Sequence, residues 1–292
     1  MLLFLSLPAL PQDLDLRLRS SYGFDGVVRP GEWNPLYVSL TNLGDRVAAL
    51  MSLDVIVSPG APNNETVLVV EEEIELGKGE SLTRRFTVPV ARGSLPLRLS
   101  LVSSGTILLN EEILPPLRYT PEKLVVALSS GALKMAPGLP VAYPLLEHLP
   151  ESWHGWSPVD LAILATPPLE RLSPAQWNAL KEWVRFGGRV FLAGGPGSPA
   201  SEAQLRTLWE SGADDPRAGE WGERITSRRL GDGTIFRATR PEEITSREIR
   251  DLAERDGVTG KTPPLESRRR PFTDSAVAAL VEHRVYRYPS RW

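Results

Sequence analysis

The spacing of the apolar residues changes near residue 116, and this change constrains the fold more than any other feature of the chain. Before that point, apolar and polar residues alternate in short segments separated by turn residues. Such period-two spacing places the apolar residues on one face of a half-buried strand. After that point, apolar residues occur in continuous runs, which are typical of strands covered by helices on both faces. The pattern therefore predicts two kinds of sheet in one chain.

The first part, residues 13–117, is predicted to be an antiparallel, immunoglobulin-like β-sandwich. Strand-like alternation is found in the segments 14–18, 36–40, 53–57, 82–88 and 95–101. No helical period lies between these segments, and several short strands at this spacing favour two packed sheets. Pro115 and Pro116 then end the predicted domain, because proline donates no hydrogen bond to a sheet.

The second part, residues 118–240, is predicted to be an α/β domain with a mostly parallel sheet. The continuous apolar runs that predict its strands are 124–128, 161–165 and 190–193. Between the last two runs lies a helix signal, with Ser173 as the N-cap and Pro174 as the first helical residue. Gln176 is placed to complete a capping box. Gly187 is predicted to end the helix in the left-handed conformation.

The two ends of the chain predict export and proximity to a membrane. Residues 1–12 contain an apolar run followed by a polar region, which resembles the hydrophobic segment and cleavage zone of a signal peptide. A buried N-terminal strand is the alternative. Residues 241–292 are predicted to form a helical or irregular segment, and its arginine run 268–270 would lie near anionic lipid if a membrane helix followed. The predicted location is the periplasmic or extracytoplasmic face of a membrane.

Two stretches, residues 21–42 and 172–195, resemble a group of uncharacterised bacterial membrane-associated proteins. The first reads SYGFDGVVRPGEWNPLYVSLTN and the second reads LSPAQWNALKEWVRFGGRVFLAGG. The resemblance implies an exported sandwich followed by a domain similar to class I glutamine amidotransferases, often with a membrane helix further along the chain. True amidotransferases place a cysteine nucleophile on a strand-to-helix elbow, G-x-C-x-G. This chain contains no cysteine, so the resemblance extends to the fold and not to that chemistry.

The best pocket candidate is the glycine-rich segment that follows the third apolar run. Ligands of such folds bind at the carboxyl ends of parallel strands, where this segment supplies Gly194, Gly195, Gly197 and Ser198. The segment lacks the Gly-Lys-Ser/Thr ending of a P-loop, and its prolines remove backbone donors, so a simple turn is the favoured interpretation. Ser198 could act as a nucleophile only beside a histidine base, and no spacing brings one of the three histidines to it.

Trp153 and Trp156 are the second candidate surface. If exposed, the two indoles would offer a stacking or partner surface; if buried, they would close the end of the sheet, and burial is the favoured alternative. The nearby His148, Glu151 and His154 are not in register for a metal site, because a proline between them interrupts any helix that would align them. We therefore predict no catalytic residue, no metal site and no cofactor.

Function is predicted only as a class. The net charge of -3 argues against a nucleic-acid partner. The missing cysteine and the signal-like segment favour a non-catalytic, membrane-associated binding or scaffold protein whose partner is an envelope or membrane protein. Two alternatives stay open: an envelope-acting hydrolase that uses carboxylates, and a small-molecule sensor that uses the crevice at the strand ends.

Overall fold

The structure is a computed structural model that describes residues 15–58, 66–90, 97–113, 118–119, 123–129, 141–165, 169–193, 199–216, 224–238, 245–254 and 285–289. These residues form antiparallel sheets, one mostly parallel sheet and three α-helices. The predicted signal-peptide segment, residues 1–12, lies outside the described residues, as does the glycine-rich segment 194–198.

The described residues of the first region form β-strands and turns. Its strands are β1 (Leu16–Tyr22), β2 (Val27–Val28), β3 (Trp33–Asn42), β4 (Val47–Ser58), β5 (Thr66–Leu76), β6 (Ser81–Pro89), β7 (Leu97–Ser103), β8 (Thr106–Ile113) and β9 (Arg118–Tyr119). One antiparallel sheet has the order β1-β3-β6. A five-stranded antiparallel sheet contains β5, β4, β7 and β8 in that order, with the C-terminal strand β17 (Val285–Pro289) beside β5. The described parts of the alternating segments lie in β1, β3, β4, β6 and β7, which confirms that these parts are strands.

Both antiparallel sheets contribute to one hydrophobic core. Leu36 and Leu40 of β3 lie in the same buried cluster as Met51 and Leu53 of β4 and Leu99 of β7. Because alternate residues of a strand point to opposite faces, each sheet contributes one apolar face to this cluster. The two sheets therefore pack against each other through those faces.

The second region is built on a seven-stranded sheet. Its strands are β10 (Val125–Ser129), β11 (Val141–Ala142), β12 (Leu161–Ala165), β13 (Arg189–Leu192), β14 (Ala213–Asp214), β15 (Ile225–Leu230) and β16 (Gly233–Ala238). Their order is β11-β10-β12-β13-β16-β15-β14; the first five strands are parallel and the last two are antiparallel. The continuous apolar runs are β10, β12 and β13, so the prediction of a mostly parallel sheet is confirmed.

Three helices and three short 3₁₀ turns complete the described structure. The helices are α1 (Pro174–Arg185), α2 (Pro199–Glu210) and α3 (Ser246–Glu254), and the turns are Leu146–His148, Trp153–Trp156 and Leu169–Arg171. The predicted capping box of α1 is present: the Gln176 N–H donates to Ser173 Oγ over 3.1 Å, and the Ser173 N–H donates to Gln176 Oε1 over 2.9 Å. None of the described helices has the length and apolarity to cross a membrane.

The glycine pair after α1 has two separate functions. Gly187 has a φ of +106°, which confirms the predicted left-handed end of the helix. Gly188 lies against the indole of Trp183, where an added Cβ would come within 2.4 Å of the ring. The chain can therefore turn sharply from α1 into β13 while Trp183 stays packed beneath it.

Candidate functional site

The described part of the chain contains one group of the predicted site residues. Trp153 and Trp156 lie in the 3₁₀ turn Trp153–Trp156, which contacts β3, β6 and α1. The two regions of the chain touch at a junction, which comprises Phe24, Arg29, Trp33, Tyr37, Arg85, Glu147, His148, Glu151 and residues 153–160. Gly194, Gly195, Gly197 and Ser198 lie outside the described residues, so the pocket at that segment stays a prediction.

Trp156 is at the centre of the junction and is only 1% exposed. Its ring centroid lies 5.4 Å from that of Phe24 and 5.5 Å from that of Trp183 in α1. Its indole N–H has no hydrogen-bond acceptor among the described residues. The structure thus places Trp156 inside the fold, as the favoured alternative predicts, and not on a surface that a partner could reach.

Trp153 lies at the edge of the junction and is half-buried. Its ring stacks on His154 with a centroid distance of 3.8 Å, and its centroid lies 4.6 Å from that of Phe186. Phe186, which ends α1, is exposed. Trp153 therefore links the helix end to the junction and leaves only part of its ring near solvent.

A buried ion pair crosses the junction between residues far apart in sequence. Arg29 Nη1 donates to Asp160 Oδ2 over 2.9 Å, and the two side chains are only 13% and 12% exposed. The same nitrogen donates to the carbonyl of Pro158 over 3.1 Å. Asp160 also accepts the backbone N–H of Leu124 (2.9 Å) and a hydrogen bond from Lys123 Nζ (3.3 Å). Several donors therefore compensate the desolvation of this carboxylate.

A second polar contact joins β6 to the start of α1. Arg85 donates to the carbonyl of Glu147 over 2.8 Å and to the carboxylate of Glu151 over 3.1 Å. Glu151 also accepts a long hydrogen bond of 3.4 Å from the hydroxyl of Ser173. Nearby, the rings of Tyr37 and His148 are 4.1 Å apart. The N-cap of α1 is thus connected to the three-stranded sheet.

The two described histidines are held in neutral form by their surroundings. Burial lowers the pKa of His148, and the nearby Arg85 lowers it further, against an opposing effect of Glu147. Burial also lowers the pKa of His154, against an opposing effect of Glu182. Both imidazoles are accordingly uncharged near pH 7.

The described side chains of the junction attach the first region of the chain to the second. His154 Nδ1 lies 3.0 Å from the hydroxyl of Ser152, a local contact two residues apart. Within the described ranges, no three histidine or acidic side chains come together in a way that could hold a metal ion. Sequence analysis missed Arg29 and Asp160 because 131 residues separate them and no local pattern pairs them.

Residues 15–115 match the model of a family described as a domain of unknown function, DUF8726. No curated protein matches the chain. Similar solved structures include the β-glucosidase from Listeria innocua in complex with isofagomine (15% identity, 35% of this chain, 16% of that chain, TM-score 0.24). Another is the alkylpurine DNA glycosylase AlkC of Pseudomonas fluorescens bound to DNA containing an abasic site analog (14% identity, 34% of this chain, 30% of that chain, TM-score 0.23). The chain spans less than a third of the length of either protein, and likenesses this weak do not indicate a shared activity.

Proposed function

We propose that the chain is a non-catalytic, membrane-associated binding or scaffold protein on the extracytoplasmic side of a membrane. The observation that carries the proposal is an open sheet edge. β8 pairs with β7 on one side and with no described strand on the other, whereas β17 pairs with β5 at the opposite edge of the same sheet. Because the outer backbone groups of an edge strand can pair with another strand, β8 can receive an extended segment of a partner.

The side chains of β8 favour a partner segment with basic residues. Ile107 is 63% exposed, and Glu111 and Glu112 are also exposed. Glu111 lies opposite the core residue Leu99, so its carboxylate is on the core-facing side of the sheet, although the residue is exposed. An inward-facing charge disfavours the addition of an apolar strand. A strand that brings a lysine or arginine to Glu111 would instead be complementary.

The proposed lack of catalysis rests on the sequence. We infer that the second region is a degenerate relative of the amidotransferase-like fold, since that chemistry needs a cysteine and the chain has none. Across the junction of the described structure, Arg29 pairs with Asp160 and Arg85 pairs with Glu151. These charged side chains therefore support attachment of one region to the other.

We also propose an immunoglobulin-like fold for the first region. The strands numbered 1, 3 and 6 form one sheet and those numbered 4, 5, 7 and 8 lie in the other, so the chain crosses between sheets repeatedly. This order supports an immunoglobulin-like sandwich. We propose domain limits of 13–117 for that sandwich and 118–240 for the amidotransferase-like domain.

Affinity purification from gently solubilised membranes after cross-linking tests the function. The wild-type chain should retain an envelope or membrane protein in stoichiometric amount. Ile107→Lys should abolish this recovery, because a lysine on an edge strand blocks strand addition. Ala48→Lys is the matched control, since it places the same charge on an exposed position of the inner strand β4 and should keep the partner. Equal recovery with both variants, or a clean monomer in the soluble fraction, would contradict the proposal.

A further inference from the structure

Two arginines lie against a single tryptophan beside the parallel sheet. Trp209, near the end of α2, is partly buried against the core. The guanidinium carbon of Arg228 in β15 is 5.2 Å from the centroid of its ring, and that of Arg237 in β16 is 5.9 Å away. Both distances are within the range of a cation–π interaction, about 6 Å. The ring therefore holds two positive charges in one place.

The described residues compensate the positive charge on this ring only weakly. The carboxylate of Asp214 is 3.7 Å from Arg228, but its side chain is 99% exposed, so solvent screens the attraction. Arg228 also donates to the backbone carbonyl of Trp209 over 3.3 Å. In the part of the chain that the structure describes, no carboxylate lies within ion-pair distance of Arg237. Among the described residues, therefore, an anion that approaches Arg237 would meet a guanidinium without a carboxylate partner.

The position of Arg237 in the sheet favours a ligand. Arg237 is the next-to-last residue of β16 and lies opposite Leu192, the last residue of the parallel strand β13. The carboxyl ends of parallel strands are where α/β folds bind their ligands. Arg228 comes from β15, the antiparallel neighbour of β16, and reaches the same ring. Arg237 thus lies at the carboxyl end of the parallel strands, whereas Arg228 lies opposite Ile235, in the middle of β16, on the neighbouring antiparallel strand.

We propose that Arg228 and Arg237, held on Trp209, bind a phosphate group. Guanidinium forks donate paired hydrogen bonds to phosphate oxygens, and a ring that fixes the forks in advance reduces the ordering needed on binding. The phosphate can belong to a free anion or to the headgroup of an anionic lipid, since both present the same oxygens. This site is separate from the β8 edge and does not depend on a protein partner there.

Two binding measurements on the full chain test the site and separate the two sources. Inorganic phosphate is titrated while the arginine Nε–H signals are followed by NMR, and co-sedimentation compares phosphatidylglycerol vesicles with phosphatidylcholine vesicles. Saturable shifts with phosphate would assign a free anion, and binding only to phosphatidylglycerol would assign a lipid headgroup. Either result supports the site, whereas binding to neither probe overturns it.

Single substitutions assign the binding to the named residues. Arg237→Gln should weaken the observed binding at least about ten-fold, since a charge-assisted hydrogen bond and a net charge are both lost. Arg247→Gln, at an exposed position of α3, is the matched control and should bind like the wild type. Equal weakening by both variants would overturn the proposal, because it would show non-specific attraction. Ile107→Lys should bind phosphate normally, which keeps this test independent of the edge-strand test.

Discussion

Asp160 accepts hydrogen bonds from both regions of the chain, and its removal would leave the buried guanidinium of Arg29 without a carboxylate. We therefore expect Asp160→Ala to lower the free energy of unfolding by about 2–3 kcal/mol. Urea unfolding would show this as a lower midpoint with an unchanged slope. The control is Glu112→Ala, which breaks the exposed 3.8 Å pair with Arg98 and should cost less than about 0.5 kcal/mol. Equal losses in the two variants would contradict the role given to Asp160.

His148 and His154 make the stability of the protein depend on pH. Burial lowers the pKa of both imidazoles in the folded state from the ordinary value of 6.5. At pH values between the lowered pKa and 6.5, the unfolded chain binds more protons than the folded chain. The free energy of unfolding therefore increases as pH rises through this window and decreases as pH falls through it. Carboxylates titrate mainly below pH 5 and contribute little to it.

Urea unfolding at pH 7.5 and 5.5 measures this dependence. The wild type should be less stable at the lower pH, and the double variant His148→Gln/His154→Gln should show a smaller difference. A wild type that becomes more stable on acidification would refute the assignment of neutral, half-buried imidazoles.

At the scale of one element, the capping box of α1 offers a local test. Ser173 Oγ accepts the Gln176 N–H, and an alanine there leaves that donor without its partner. Ser173→Ala should therefore reduce the free energy of unfolding by about 1 kcal/mol, and Ser173→Thr should retain most of it. Chemical denaturation of the three proteins measures the difference. A threonine variant as unstable as the alanine variant would show that the cap is not the cause.

The elements that sequence analysis predicted are those with a complete local signal. Helix α1 has a local signal at each end, Ser173 before it and Gly187 after it. Strands β10, β12 and β13 are continuous apolar runs. Strand β5 was missed because three consecutive glutamates interrupt its alternation. In the structure the middle one, Glu72, is paired with Arg84 of β6. Strand β8 was missed because Glu111 occupies a core-facing position, where period-two alternation predicts an apolar residue.

The candidate site could be predicted from the sequence only in part. Burial of Trp156 followed from the sequence as the favoured alternative, because an indole beside a strand has a large area to bury. Its contact with Phe24 and the pairing of Arg29 with Asp160 did not follow, since they depend on how two separately folded sheets meet. The arginines on Trp209 are a similar case, because three elements bring them together.

The junction should make the two regions unfold as one unit. Residues 13–117 contain one tryptophan, Trp33, whereas residues 118–240 contain Trp153, Trp156, Trp177, Trp183, Trp209 and Trp221. Tryptophan fluorescence therefore reports mainly on the second region. Far-UV circular dichroism reports on both. With the buried pair and the Phe24–Trp156 contact in place, we expect the two signals to change at the same urea concentration.

Weakening the junction should separate these signals. In Arg29→Ala, the fluorescence transition should precede the circular dichroism transition, because Asp160 and Trp156 lose support from the first region while the core shared by β3, β4 and β7 is unchanged. Arg98→Ala, an exposed position of β7 away from the junction, should leave the signals coincident. Signals that already differ in the wild type would show that the contacts are too weak to couple the regions. If the two transitions of Arg29→Ala still coincided, the Phe24–Trp156 contact would be what couples the two regions. Phe24→Ala should then separate the two transitions.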